Sequence, residues 1–565
     1  MPIQLRTAAM SLAKLLTYRE RFAVPEYQRV YGWRETELDR LFSDLETAMR
    51  RHGRRGDLEP CFFLGTIYLA AADDKGEAQI ADGQQRILTA NMIYAVARDL
   101  AEDQSEADRL HALLLTPDGS GFRFAPRDRD GPFFRRWVQE RGATLRPLLI
   151  DSAPHDGEAD AAEHGLSESQ LNIIRNRDSI IDKLIALGPE GRGRLLEFLA
   201  AGTSVVVITA STLDEARNAY ASTQTRGLRQ SETDKLKAEL IGDCPETLRA
   251  RLAGQWEECE AALGKDDFAE IFHHLIFIES ERRPQHALEA DLFRVFDLPH
   301  EIESFIDRTL VPCAQSYRRI CTAGASAPRR LRRINGFLVS LLRTTHNTWK
   351  APALLALCEF GEDPAALERF LRDLERLAAV LMIIGADPNK TIECYARVIH
   401  DIKRKTIAKG TALEIDAKDL ARARECLEDR RFAMRERFRM PVLLKLNDLL
   451  GGEVEPIDPR QVSCEHILPR NPPRRGPWRA AFRRGDGAYE GGHYTHAIGN
   501  MAILTHTQNR EADTSAFEVK RKILKGSGFA LSKDAAKDKV WTPEVIRRRS
   551  GRMCALLFDY WRLRG

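Results

Sequence analysis

Residues 464–469 read Cys-Glu-His-Ile-Leu-Pro, and residues 499–509 read Gly-Asn-Met-Ala-Ile-Leu-Thr-His-Thr-Gln-Asn. A carboxylate beside a histidine (Glu465, His466), then Asn500, then Asn509 nine places on, is the order of parts a single-metal phosphodiesterase needs. A hard cation such as Mg2+ takes oxygen ligands and keeps several of its waters. Glu465 and Asn509 supply one carboxylate and one amide oxygen as metal ligands and leave room for a scissile phosphate. A neutral His466 takes the proton of an attacking water, and Asn500 holds the loop that carries the histidine. Each residue alone reads better as a turn or cap. The four in this order, within Glu-His-Ile-Leu-Pro, read as a site.

Charge points the same way. The chain carries +3 overall, but residues 451–565 hold 21 Lys and Arg against 13 Asp and Glu. The first 450 residues are slightly acidic, so the basic excess sits with the candidate site, where a polyanion would meet it. Lys520, Arg521 and Lys522 fall on a helix expected at 515–524, and they and His493 are the candidate nucleic-acid contacts. A second helix is expected at 543–560.

Upstream, 451–463 carries Gly and Pro and reads as a linker or short strand. Residues 236–440 have helical spacing almost throughout. In the first 240 residues, 1–50 read as helix, an extended piece at 22–31, and helix from Arg34. Strands are expected at 61–71 and 204–210, where apolar runs are short and rich in β-branched and aromatic residues. Asp82-Gly83 marks a turn into a helix from Gln84, and 151–166 is an acidic loop followed by helices from Ser167 and around 191–201.

Three stretches of this first part stand out. Val24-Pro25-Glu26-Tyr27-Gln28-Arg29-Val30-Tyr31-Gly32-Trp33 mixes aromatics with an amide and a guanidinium. Asp82-Gly83-Gln84-Gln85-Arg86 lies between a strand and a helix, with Thr89 one turn on. Tyr220-Ala221-Ser222-Thr223-Gln224-Thr225-Arg226-Gly227 follows the second strand and precedes Asp234 and Lys237. A helix N-terminus offers free N–H groups to an anion, and Arg29, Arg86 and Arg226 can add charge-assisted phosphate contacts. The expected nucleotide-binding set is Gln28, Arg29, Asp82, Gly83, Gln84, Gln85, Arg86, Thr89 and Arg226, with Asp82 and Arg86 also catalytic. No Gly-x-x-x-x-Gly-Lys-Ser/Thr phosphate loop is present.

Two resemblances rest on these residues. Glu-His-Ile-Leu-Pro, the Gly-Asn-apolar stretch and the basic helix resemble the ββα-metal (His-Me finger) core of HNH nucleases over roughly 440–560. That likeness implies Glu465 and Asn509 as ligands of Mg2+ or another divalent cation, and His466 as general base. The three N-terminal stretches resemble the DGQQR family, related to the ParB/sulfiredoxin fold, over roughly 8–240. Gln224 stands where that family has Asn, and Thr223 where it has an apolar residue, which leaves base preference open. The combination is similar to GmrSD-type modification-dependent restriction enzymes and to SspE-like, phosphorothioate-sensing defence effectors.

The resemblance implies an α+β multidomain chain. A ParB/sulfiredoxin-like domain would cover 1–240, an all-α connecting domain 241–440 and an HNH domain 441–565. It implies an NTP-regulated, metal-dependent DNA endonuclease of anti-phage defence, with GTP the leading nucleotide. Its partner would be double-stranded DNA, with phosphorothioated or glucosylated DNA the candidate modified forms. A non-catalytic DNA-binding or regulatory module and an RNA-cutting toxin are the alternatives, and homo-oligomerisation is left open. Ten cysteines with no Cys-x-x-Cys pair argue against a zinc ribbon or finger and against a disulfide framework, and suit reduced thiols. No apolar run approaches the roughly 20 residues of a membrane span, and the expected location is cytoplasmic.

Overall fold

The computed structural model describes residues 5–17, 21–52, 60–72, 76–147, 166–223, 231–242, 244–323, 331–407, 411–484 and 486–563. Arg226 and most of the acidic 151–166 loop lie outside them. The chain divides into two compact units, one of Met1–Lys265 with Leu298–Ile306, the other of Asp266–Asp297 with Asp307–Gly565.

The first unit is built on a six-stranded mixed sheet of order β1-β6-β3-β4-β2-β5. The strands are β1 (Arg6–Ser11), β2 (Arg21–Ala23), β3 (Phe62–Ala70), β4 (Glu77–Asp82), β5 (Phe124–Ala125) and β6 (Thr203–Ala210). The two apolar runs of the sequence, β3 and β6, pair in parallel at the centre. β1 pairs antiparallel with β6, and β4 antiparallel with β3. The helix expected at the N-terminus is corrected here. Residues 6–11 form an edge strand and only Leu12–Leu16 turn helical, capped by the Ser11 hydroxyl. Four of the six β1 residues are exposed, so pairing with β6, not an apolar pattern, makes the strand.

The helices of this unit include α1 (Glu35–His52), α2 (Gln84–Asp99), α3 (Glu168–Ala186), α4 (Leu213–Thr223), α5 (Glu232–Gly242) and α6 (Glu246–Leu263). α3 starts on a capping box between Ser167 and Gln170, which satisfies two of its otherwise orphaned N–H groups. α2 is buried on nearly every side. A helix in that position cannot move without disturbing the core, so its N-terminus is a fixed point for the site at Asp82.

Among its described residues the second unit is mainly helical, with one antiparallel ribbon of β7 (Val462–His466) and β8 (Met501–Thr505). Its helices include α7 (Pro364–Ile384), α8 (Glu436–Gly451), α9 (His506–Ala512), α10 (Phe517–Gly526), α11 (Ala530–Ala535) and α12 (Pro543–Tyr560). Side chains alternate across a strand, and β8 uses both faces. Met501 and Ile503 enter a core shared with α7 and α8, while Ala502 and Leu504 enter a second core with Ile467, Leu468, Trp478 and Trp541. The first of these cores runs from Ala379 to Leu563. Where the sequence divides a helical domain from a terminal domain near 440, the structure has one continuous core, because α8 buries Val442, Leu443 and Leu446 in it. No helix of the described residues is long and apolar enough to cross a membrane.

Candidate functional site

In the first unit, Asp82 ends β4 and Gln84 opens α2. Gly83 between them has φ +101°, and a Cβ there would come within 2.9 Å of the Ile67 side chain. Only glycine makes this turn without strain. The turn borders a cavity of about 290 Å³ lined by Arg29, Trp33, Arg40, Asp82, Gly83 and Arg86. Arg86 donates to the Thr66 carbonyl at 3.0 Å and lies 3.9 Å from the Asp82 carboxylate. Burial pushes the Asp82 carboxyl up, while Arg86, Arg29, the Gly83 N–H and the Tyr220 hydroxyl pull it back. Tyr220 belongs to α4, which leads directly to Arg226. The first, second and third stretches of the sequence therefore all send a side chain to Asp82.

The glutamines behave differently from the sequence expectation. Gln84 donates to the Arg29 carbonyl at 2.9 Å, and Gln28 to the Ala81 carbonyl at 2.9 Å. Gln85 donates to the Val30 carbonyl and accepts from the Gly32 N–H, both at 3.0 Å. Thr89 donates to the Gln85 carbonyl and meets the Tyr31 hydroxyl at 2.8 Å. All four side chains are buried. These bonds stitch 28–32 onto the end of β4 and the start of α2 and position Arg29 beside Asp82, while Gln85 also lines the cavity. Arg40 and the 57% exposed Phe63, which also lines the cavity, were not legible as site residues.

A buried ion network supports this region from behind. Arg127 pairs with Asp130 at 2.7 Å and with Glu257, and Lys237 reaches the same Glu257 carboxylate at 2.5 Å. Arg127 also donates to the Gln28 carbonyl at 3.4 Å. Of the Asp-x-x-Lys pair after the third stretch, Lys237 thus ends in the core and ties α5 to α6, while Asp234 is half-buried and accepts from the Ser231 N–H.

In the second unit, β7 ends on Glu465 and His466, and α9, carrying Asn509, follows β8 directly. Asn500 is fully buried and uses its whole amide. Its oxygen accepts from the Leu468 N–H at 2.8 Å and the Trp541 indole at 2.9 Å, and its nitrogen donates to the Leu468 and Thr495 carbonyls at 3.0 and 2.8 Å. The turn after His466 is clamped by this one side chain. His466 Nε2 lies 3.3 Å from His496 Nδ1, with the rings at 89°. Burial, then the nearby charges of Arg470, His496, Arg439 and Lys520, pull the His466 imidazole down to about 3. It is neutral at physiological pH.

Lys520 is corrected. It was expected on the nucleic-acid face, but it is 1% exposed, pairs with Glu465 and donates to the His466 carbonyl at 3.0 Å. Arg521 is turned to the Ala536 carbonyl at 2.9 Å. Only Lys522 of the three is exposed; His493 is also exposed and lines a separate cavity of about 550 Å³ with Tyr494, Arg547 and Phe558. Asn509 is half-buried, with no side-chain hydrogen bond among the described residues. Among the described residues no cluster of three or more His, Cys, Asp or Glu side chains could enclose a metal alone. One carboxylate and one amide oxygen still fit a cation that keeps most of its waters, and Glu465 already holds a positive charge.

Comparison with known families finds two matches. The N-terminal domain of GmrSD restriction endonuclease matches residues 12–241, and the C-terminal domain of GmrSD restriction endonucleases matches residues 418–556. Both domains are those of a restriction endonuclease, a DNA-cutting enzyme of restriction defence. The chain belongs to the GmrSD family and carries both of its domains on one polypeptide. No curated protein matches it.

Proposed function

We propose that the chain is an NTP-regulated, divalent-cation-dependent DNA endonuclease of the HNH type that acts on modified or foreign DNA. The observation that carries this reading is the geometry at the end of β7: Glu465 and His466 stand side by side at the start of a turn that the buried Asn500 amide clamps through Leu468 and Thr495. His466 Nε2 faces His496, which leaves Nδ1 to accept a proton from water. Asn500 is a positioning residue: it holds the turn and so the aim of the ring. Glu465 and Asn509 would hold the cation, which supplies Lewis-acid stabilisation of charge on the phosphate. In the first unit, Arg29 and Arg86 would bind phosphates at the start of α2, and Asp82 would orient water for hydrolysis. GTP is the leading nucleotide, and Arg226 is a further candidate phosphate contact.

Coupling the two halves makes physical sense. A nucleotide site lets substrate chemistry bias the population of a cutting-competent state. The test is plasmid nicking with Mg2+, with and without GTP, on unmodified, phosphorothioated and glucosylated DNA. His466→Ala is expected to abolish nicking and leave GTP hydrolysis intact. Nicking by that variant at the wild-type rate overturns the assignment.

A further inference from the structure

Lys520 sits where a solvated lysine would not. α10 buries Phe517, Lys520 and Leu524 on one stripe, the i, i+3, i+7 spacing of a core-facing helix edge. Burying an ammonium is costly unless a partner compensates. Here the compensation is complete on two sides: the Glu465 carboxylate and the His466 carbonyl, the two residues at the end of β7. The ammonium therefore occupies the electrostatic place a cation on Glu465 would take.

We infer that Lys520 is a built-in competitor for the divalent cation: it neutralises Glu465 when the cation is absent and opposes its loading. This rests on the reading of Glu465 as a cation ligand. Two positive charges within a few ångströms of one buried carboxylate repel strongly in a low-dielectric setting. Cation binding must displace the ammonium or share the carboxylate with it, and both outcomes weaken cation affinity. A neutral side chain at 520 removes that opposition, and the unpaired carboxylate gains most from a cation.

The experiment is Mn2+ binding to the full chain by titration calorimetry and by the paramagnetic resonance signal of free Mn2+. Wild type, Lys520→Met, Lys520→Gln, Lys520→Arg and Glu465→Gln are compared. The two neutral variants are expected to bind Mn2+ about tenfold tighter or more, Lys520→Arg to stay near wild type, and Glu465→Gln to lose the site. Lys520→Gln can still donate to Glu465 and to the His466 carbonyl, so it carries the test if Lys520→Met does not fold. Melting with Mn2+ is a second readout, since a ligand bound by the native state raises stability. The midpoint should rise more for Lys520→Gln than for wild type. If Glu465→Gln binds Mn2+ like wild type, the reading of Glu465 fails. If Glu465→Gln loses binding but Lys520→Gln binds no tighter than wild type, the competitor role alone fails.

Discussion

The Arg86 guanidinium lies in a space that Gly65 leaves open: a Cβ on Gly65 would stand 2.9 Å from the Arg86 Cζ. Gly65 sits mid-strand in β3 at φ +125°, where the pairing with β6 shifts register. The bulge and the missing side chain together let Arg86 reach across the strand to Thr66 and Asp82. Gly65→Ala is therefore expected to cut GTP hydrolysis about as far as Arg86→Ala. The circular dichroism of the sheet should stay intact. Normal hydrolysis by Gly65→Ala would mean that Arg86 works from another position.

Asn500 has four partners in the core, and its removal strands all four. Asn500→Ala is expected to cost about 3 kcal/mol or more, the range for breaking a buried hydrogen-bond network, and to abolish nicking. Trp541→Phe removes one of the four bonds and leaves a void in the core, and should cost about 1–3 kcal/mol, less than Asn500→Ala. Denaturant unfolding of both variants measures the difference. Equal costs would show that the amide network does not hold the turn.

Glu257 compensates two buried cations at once. Glu257→Gln leaves Arg127 and Lys237 facing a neutral group, and loss of one partner of a buried ion pair typically costs about 3–5 kcal/mol. A midpoint of unfolding within a degree of wild type would sink this account of the network.

Glu260 gives a pH signature. Burial first, then the charge of Asp234, pushes its carboxyl up from 4.5 to about 7 in the folded chain. A raised carboxyl contributes stability that is full below the unfolded value and is lost as pH rises through the folded one. Glu260→Gln should match wild type near pH 4.5 and exceed it above pH 7. Urea midpoints at the two pH values check the sign, and parallel curves would show that the carboxyl is not perturbed.

How much of this was legible in the sequence depended on whether local pattern and tertiary context agreed. β3, β6 and α2 follow from short apolar runs and a turn signal, and α12 runs from Pro543 to Tyr560 as expected because Thr542 caps it and Pro543 opens it. β1 was missed because Arg-Thr-Ala-Ala-Met-Ser has no strand pattern of its own and exists as a strand only through β6. Lys520 was misread because Val-Lys-Arg-Lys looks like a solvated face. The signal available was its spacing from Phe517 and Leu524, which places it on the apolar stripe. The glutamines of Asp-Gly-Gln-Gln-Arg were legible as a cluster but not as stitches, since their partners are backbone carbonyls fifty or more residues away. Gly65 carried the hint that an isolated glycine in a strand marks a bulge or a close approach.

The ribbon that carries Glu465 and His466 is packed on both faces, one of them against α7 and α8. A fragment beginning after α8 would hold every side chain of the cutting site. It would also leave Val462, Met501, Ile503, Met553 and Leu557 facing water, a loss of buried apolar surface worth about 1.5–3 kcal/mol for each large side chain. Such a fragment is expected to lose its fold. If the chain cuts DNA as proposed, a break before β7 is then expected to release an unfolded remnant and not a freed nuclease: the cutting part would not outlive the helices on which it is folded.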